Sequence, residues 1–399
     1  MPTTLCLNVG SSSLKCALFD PSQARTPDGL PLPRLRAEID TAGAKTTGVL
    51  VDREGHRRAL DLPGNPHGIG PVAHHLFGEL AQAAPAWPPE VVVHRIVHGG
   101  TRYTKAVLVT PEVFSDLDAL TPFAPLHQPP GLQGLRTATA LLPNALQAAC
   151  FDTAFHAGHP EAEARYPLPR VWYERGYRRY GFHGLSYESV ARRLPRFLGE
   201  TARGRILIAH LGSGASLCGL RELRSVTTSM GLTALDGLMM ATRPGTLDPG
   251  LLLEWWREGR LTVEEAEALL YHQSGLLGVS EISADTRDLL TNDDPRARLA
   301  LDLFVASVVR QTGAVAATLG GLDALVFTGG VGFHQPAIRA EIVRRLGWLG
   351  LALDPDANGS SATLVSPANH PPVLVLEARE EEVMALGAWE LLEARADRA

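Results

Sequence analysis

Eight residues near the start of the chain, Asn8-Val9-Gly10-Ser11-Ser12-Ser13-Leu14-Lys15, bring together a carboxamide, a glycine, three hydroxyls and an ammonium group. Small residues after a glycine let backbone N–H groups converge on an anion, and the hydroxyls and lysine add donors, so the stretch suits a phosphate. Lys15, Lys45 and Lys105 are the only lysines in 399 residues, which argues against general surface decoration at Lys15. The stretch is not a Walker loop, which needs GxxxxGK[ST] and a following helix. A second polar group, His94-Arg95-Ile96-Val97-His98-Gly99-Gly100, follows the apolar run Val91-Val92-Val93; α/β sheets place ligands at such strand ends. Charged or imidazole groups beside glycine, proline or aromatic residues recur at Phe151-Asp152-Thr153-Ala154-Phe155-His156, Tyr180-Gly181-Phe182-His183-Gly184 and Ala241-Thr242-Arg243-Pro244-Gly245. Singly, Asp152 also suits a helix cap, His183 a core histidine and Arg243 a surface ion pair.

The elements around these residues narrow the choice. Leu5-Cys6-Leu7 precedes the first turn and Cys16-Ala17-Leu18-Phe19 follows it, which predicts strand, turn, strand. That order points towards the actin-like kinases, with a plain hairpin as the alternative. The segment Leu7 to Leu18 aligns without gaps to Ala209-His210-Leu211-Gly212-Ser213-Gly214-Ala215-Ser216-Leu217-Cys218-Gly219-Leu220, again after an apolar strand. Two such copies half a chain apart suggest a duplicated fold with a cleft, against chance likeness of two Gly/Ser hairpins. A third glycine turn ends the strand Ala324-Leu325-Val326-Phe327-Thr328 at Gly329-Gly330-Val331-Gly332, where backbone can approach a nucleotide closely. Helical patterns cover Gly131 to Leu142, Ser186 to Leu198 and Leu299 to Leu319, and Pro/Gly-rich stretches at Thr26 to Pro33 and Pro63 to Gly70 read as surface loops. Strands alternate with helices, the mark of an α/β chain.

A length of 399 residues suits two domains. Hydrophobic residues make up 45% and charged residues 20%, ordinary for a globular protein. The net charge of −6 leaves no footprint for nucleic acid, and no basic amphipathic stretch suggests a membrane surface. Neither a secretory leader nor a run of about 18 uninterrupted apolar residues is apparent. Cys6, Cys16, Cys150 and Cys218 lie in apolar runs without CxxC spacing and read as buried thiols of a cytoplasmic protein.

Taken together, the chain resembles the acetate kinase (acetate/propionate kinase) family over essentially its whole length. The matching segments are Asn8 to Lys15, His94 to Gly100, Ala124-Pro125-Leu126-His127, Asp152 to His156, Arg179 to Gly184, His210 to Ser216, Thr228-Ser229-Met230-Gly231, Leu235 to Arg243, Ser274 to Ser280 with Asp285-Thr286-Arg287, and Phe327 to Gly332. The resemblance implies a duplicated actin/Hsp70/sugar-kinase-like (ribonuclease H-like) fold, with a cleft between an N-terminal domain (1–152 plus 383–399) and a C-terminal domain (153–382). It also implies a homodimer joined through the C-terminal domain, and Mg²⁺-dependent (alternatively Mn²⁺-dependent) phosphoryl exchange between ATP and acetate, giving acetyl phosphate and ADP. Propionate is the second acceptor, and a non-catalytic nucleotide-binding protein is the alternative from another class.

The resemblance likewise distributes roles. Arg95 and Arg243 flank the carboxylate and the moving phosphoryl, His183 donates to that phosphoryl, and Asp152 orients the clamp or the metal's hydration shell. Val97, Leu126, Phe182 and Ala234 line the acyl pocket with Arg95. Lys15, His210, Leu211, Gly212, Ser213, Gly214, Asp285, Thr286, Arg287, Gly329, Gly330, Val331, Gly332 and Phe333 serve the nucleotide. Asn8 and Glu381 form the magnesium pair, with Glu380 and Glu382 as rival carboxylates and a solvated helix start as the plain reading of the triplet. The chain departs from the family's pattern at Ala234 (usually proline), which widens the acyl pocket. It departs also at Ser213, Thr227 and Phe333-His334-Gln335, which remove polar groups on the nucleotide side and leave the phosphoryl donor open.

Overall fold

The structure, a computed structural model, describes residues 1–10, 13–20, 25–40, 45–62, 66 and 68–397. Ser11 and Ser12 of the first turn, and part of the predicted loop at 63–67, lie outside these. The chain divides into two compact units, Met1–Ala157 with Arg379–Ala399, and Gly158–Ala378. The units thus run to 157 and resume at 379, beside the expected boundaries of 152 and 383: a short 3₁₀ turn, Ala154–His156, continues from the last long strand of the first unit, and the helix that returns to that unit begins at Glu380.

The first unit contains strands β1 (Thr4–Val9), β2 (Ser13–Phe19), β3 (Leu35–Asp40), β4 (Thr47–Asp52), β5 (Arg57–Ala59), β6 (Val91–Ile96), β7 (Val107–Leu108) and β8 (Leu146–Phe151). They form one sheet in the order β5-β4-β3-β2-β1-β6-β8-β7. β1 is antiparallel to β2 and β2 to β3, whereas β1 is parallel to β6 and β6 to β8. Every residue of β1 is buried, as expected of a strand covered on both faces. Period-two alternation decides what each face carries. Leu5, Leu7 and Val9, with Leu14, Cys16, Leu35, Ala37, Ile39 and Val92, join the core under the helix Ile69–Ala83. That helix begins within the stretch read as a loop. The alternate residues Thr4, Asn8, Arg36, Arg95 and Asp152 lie on the opposite face, where the helix Glu380–Ala396 runs over β1, β2, β6 and β8. Trp389 of this helix donates to Thr4 Oγ1 at 2.9 Å.

The second unit contains β9 (Ile206–Leu211), β10 (Ala215–Arg221), β11 (Arg224–Thr228), β12 (Ala324–Thr328) and β13 (Val373–Val375), ordered β11-β10-β9-β12-β13. β9 is antiparallel to β10 and β10 to β11; β9 is parallel to β12 and β12 to β13. Counted along the chain this is the order 3-2-1-4-5, the same as β3-β2-β1-β6-β8 with the same directions. The duplicated fold follows from that repeat of order and direction.

The helix Pro295–Leu319 spans 25 residues with Asp294 as its N-cap. It is the one described helix long and apolar enough to cross a membrane by length and composition, but Ala300, Phe304, Val308, Val315 and Leu319 form a buried stripe at helical spacing, and the helix packs on β10 and β11. The helix expected over 186–198 is two helices, Gly184–Ala191 and Leu194–Leu198. Pro195 cannot donate within the first of these and instead occupies the first turn of the second. Gly329 to Gly332, expected as a turn, opens the helix Gly329–His334.

Candidate active site

In the first unit, five polar side chains meet where β1, β6 and β8 end beneath the start of the helix Glu380–Ala396. Arg95 grips Asp152 with a two-pronged bond, Nε to Oδ1 at 2.9 Å and Nη2 to Oδ2 at 2.6 Å. Its third donor, Nη1, reaches Asn8 Oδ1 at 3.0 Å. Asn8 in turn donates from Nδ2 to Glu380 Oε2 at 2.9 Å and Glu381 Oε1 at 3.1 Å. The Asp152 carboxylate beside it raises the Arg95 pKa against the opposing effect of burial, the larger single influence, so Arg95 is a permanent cation. Burial raises the Glu380 pKa, with Arg95 and the Asn8 hydrogen bond opposing. Three glutamates in the first turn of one helix gain from its positive end. Glu382 separates from the other two: it is buried and paired with Arg36 of β3. Carboxylate and carboxamide oxygens are the donor set of a hard divalent cation, so Asn8, Glu380 and Glu381 fit magnesium.

In the second unit, imidazole and guanidinium groups surround the hairpin turn between β9 and β10. A Cβ placed on Gly214 would lie 3.2 Å from His183 Nε2 and 3.6 Å from Arg243 Nη2, and one on Gly212 would lie 3.7 Å from His210 Nε2 and 3.9 Å from the Gly330 amide nitrogen. A side chain on either glycine would crowd groups that need access to an anion. His183 holds a left-handed conformation, φ 59°, at the entry of the helix Gly184–Ala191; such strain in a non-glycine residue marks a position held by its surroundings. Its Nδ1 is 2.8 Å from Ser216 Oγ, which lies 2.5 Å from the Tyr187 hydroxyl. Its ring stacks on His210 at 4.3 Å, and His210 Nδ1 meets Ser186 Oγ at 2.8 Å. Arg243 donates to Ala234 O at 2.9 Å and has no carboxylate partner among the described residues. Burial lowers its pKa, with Tyr271 opposing, so an arriving anion would complete its environment.

The sequence profile of the acetokinase family matches residues 3–386. The chain belongs to that family. It is 44% identical over 393 residues to an acetate kinase of Rhodopseudomonas palustris, covering 97% of this chain and 98% of the relative. Against an acetate kinase of Nitrobacter hamburgensis the figures are 41%, 98% and 96%. Among solved structures, a propionate kinase from Francisella tularensis superposes with a TM-score of 0.86 at 31% identity, covering 97% of this chain and 99% of that one. The Porphyromonas gingivalis acetate kinase gives 0.82 at 32%, covering 98% and 100%.

The other residues that the acetokinase resemblance marks out fall in both units. Lys15 faces Asn8 across the β1–β2 pair, and its ammonium meets Glu38 at 3.1 Å with both side chains half-exposed. Val97 and Leu126 lie in the first unit, Phe182 and Ala234 in the second. Asp285 caps the helix Thr286–Leu290 and takes the Arg287 guanidinium at 2.5 Å, while Thr286 is buried. Of the departures, Ser213 accepts from the Ala241 amide at 3.2 Å, Thr227 sits buried in β11, and Phe333 with His334 closes the helix Gly329–His334. Sequence reasoning missed Ser216, Tyr187, Arg36 and Arg339. Arg339 is fully buried and donates to the Gly332 and Phe333 carbonyls at 3.0 and 2.7 Å, anchoring the third glycine segment. An arginine in the otherwise apolar spacing Ile338, Ile342, Val343 was the available signal.

Proposed function

We propose that the chain is an acetate kinase that transfers the γ-phosphoryl group of ATP to acetate reversibly, with propionate as a second acceptor. The observation that carries this reading is the pair of arginines in contrasting states: Arg95 held rigid by the Asp152 fork, and Arg243 buried with no acidic partner among the described residues. A carboxylate acceptor is already ionised at pH 7 and needs no general base. Repulsion between the anionic acceptor and the anionic phosphoryl is the obstacle, and planar guanidinium forks suit both. In the step itself an acetate oxygen forms a bond to the γ-phosphorus, the bond from that phosphorus to the β–γ bridging oxygen breaks, and its electron pair leaves on ADP. Arg95 and Arg243 spread the charge of the in-line transition state. Tyr187 donating to Ser216, and Ser216 to His183 Nδ1, leaves the proton on His183 Nε2, which then donates to an equatorial oxygen of the phosphoryl group. Asp152 acts through Arg95, since its two oxygens are already engaged.

Asn8 with Glu380 and Glu381 would hold magnesium, which when bound offsets phosphate charge. The glycine turns at Gly212–Gly214 and Gly329–Gly332, with Asp285, Thr286 and Arg287, are the proposed nucleotide contacts. A homodimer joined through the second unit and a cytoplasmic location belong to the same proposal; exposed Leu253, Trp256 and Leu303 support the first and four buried free thiols the second. Hydroxamate trapping of the acyl phosphate, with acetate and propionate against ATP, GTP and pyrophosphate, tests it. Acetyl phosphate forms with ATP, and Arg95→Ala or Arg243→Ala lowers turnover by about 10³-fold. Wild-type turnover in either variant, or no acyl phosphate with any pair, defeats the assignment.

A further inference from the structure

We propose that Arg36, anchored on Glu382, is a positioning residue that fixes the Glu381 carboxylate for the divalent cation. The inference rests on the metal reading above. Strand β3 alternates Leu35, Ala37 and Ile39 into the core with Arg36 and Glu38 on the other face. The register places Arg36 opposite Ala17 of β2 and Val51 of β4, and from there its guanidinium spans two glutamates. Nη2 binds Glu382 Oε1, and Nη1 lies 3.7 Å from Glu381 Oε2. Glu381 is therefore held from two sides, its Oε1 by Asn8 Nδ2 and its Oε2 by Arg36.

Glu382 needs a reason to be there. It is 2% exposed, and its Oε2 has no hydrogen-bond partner among the described residues, an arrangement that costs stability. A buried carboxylate beside an arginine makes sense as an anchor that stops a long, otherwise half-exposed side chain from swinging into solvent. The charge count agrees. Asp152, Glu380, Glu381 and Glu382 oppose Arg36 and Arg95, leaving a net charge of −2 when all are ionised, which one divalent cation cancels. Removing Arg36 would leave three negative charges and a carboxylate free to turn away from the metal. Partners that orient a metal's ligands are typically worth about 10–100-fold in affinity.

Mn²⁺ binding, followed by electron paramagnetic resonance with and without ADP, reads this directly without turnover. Arg36→Met should weaken Mn²⁺ by about 10-fold or more while ADP affinity in EDTA stays at the wild-type value, and Arg36→Lys should recover part of the loss. The double variant Arg36→Met with Glu382→Leu removes both buried charges, which protects the fold, and should remain weak for Mn²⁺. Wild-type Mn²⁺ affinity in Arg36→Met overturns the inference, and so does recovery in the double variant, since Arg36 would then serve only to neutralise Glu382. Glu381→Gln separates the two levels: if it leaves Mn²⁺ affinity unchanged, the metal reading fails, and if it weakens Mn²⁺ while Arg36→Met does not, only the role of Arg36 fails.

Discussion

At the scale of single residues, the chemistry depends on which nitrogen of His183 carries a proton. Ser216 Oγ lies 2.8 Å from Nδ1 and 2.5 Å from the Tyr187 hydroxyl. Tyr187 is fully buried, and burial holds its pKa well above the ordinary tyrosine value, so its hydroxyl stays a donor. If Tyr187 donates to Ser216, the serine directs its own proton at Nδ1, and the imidazole proton then lies on Nε2 beside the Gly214 backbone, as proposed above. Ser216→Ala removes that selection and lets the Nδ1–H tautomer compete. We expect kcat to fall by about 10- to 100-fold, with the KM for nucleotide within about twofold of wild type, because the change touches the donor and not the turn. Nitrogen chemical shifts of His183 in labelled protein report the tautomer: a shift towards Nδ1–H in Ser216→Ala, absent in wild type, is the expected signature. An unchanged tautomer together with unchanged kcat removes Ser216 from the mechanism.

At the scale of elements, β6 shows how a strand serves two tasks at once. Its alternation sends Arg95 to the face that carries Asn8 and Asp152 and sends His94 the other way, to meet Gln147 at 2.8 Å. His98, two residues past the strand, accepts from the Gly100 amide at 2.9 Å. Burial lowers the pKa of both histidines from 6.5 to about 4. The folded value lies below the unfolded one, so between these limits the unfolded chain binds more protons. Stability from this source is complete above pH 6.5 and is lost as pH falls towards 4, by about 2 kcal/mol per histidine at pH 5. Urea unfolding at pH 7.5 and 5.0 should show His94→Gln losing less stability across that interval than wild type, by roughly that amount. Equal losses would mean that His94 titrates normally. The motif at His94 to Gly100 was legible because a strand and its polar end are local in sequence, and so were the hairpins at Gly10 and Gly212. Arg36 and Glu382 were not legible: they lie 346 positions apart and meet only through strand register and the return of the last helix. Ser216 was hidden for another reason, since the echo aligns it with Leu14, an apolar residue of quite different chemistry.

At the scale of the whole molecule, the order 3-2-1-4-5 occurs twice and was foreshadowed by the aligned hairpins, whereas a run of three glutamates carries no mark of which sheet its helix will cover. The second unit also carries an excess that its own folding does not use. Leu251, Leu253, Trp256, Val263, Leu299 and Leu303 are between 37% and 62% exposed, and Leu303 lines a cavity of about 700 Å³ with Met239, Leu269 and Val279. Large apolar side chains left exposed in one unit favour burial against a partner surface, and a second copy of the chain fits the proposed homodimer. Leu303→Asp puts a charge where that contact would form and leaves the buried stripe of its helix untouched. Sedimentation velocity should give a dimer for wild type at micromolar concentration and a monomer for Leu303→Asp. Because association stabilises only the folded chain, the wild-type Tm should rise with protein concentration and that of the variant should not. A wild-type protein that sediments as a monomer across this range would leave the exposed leucines without a partner copy and end the dimer proposal.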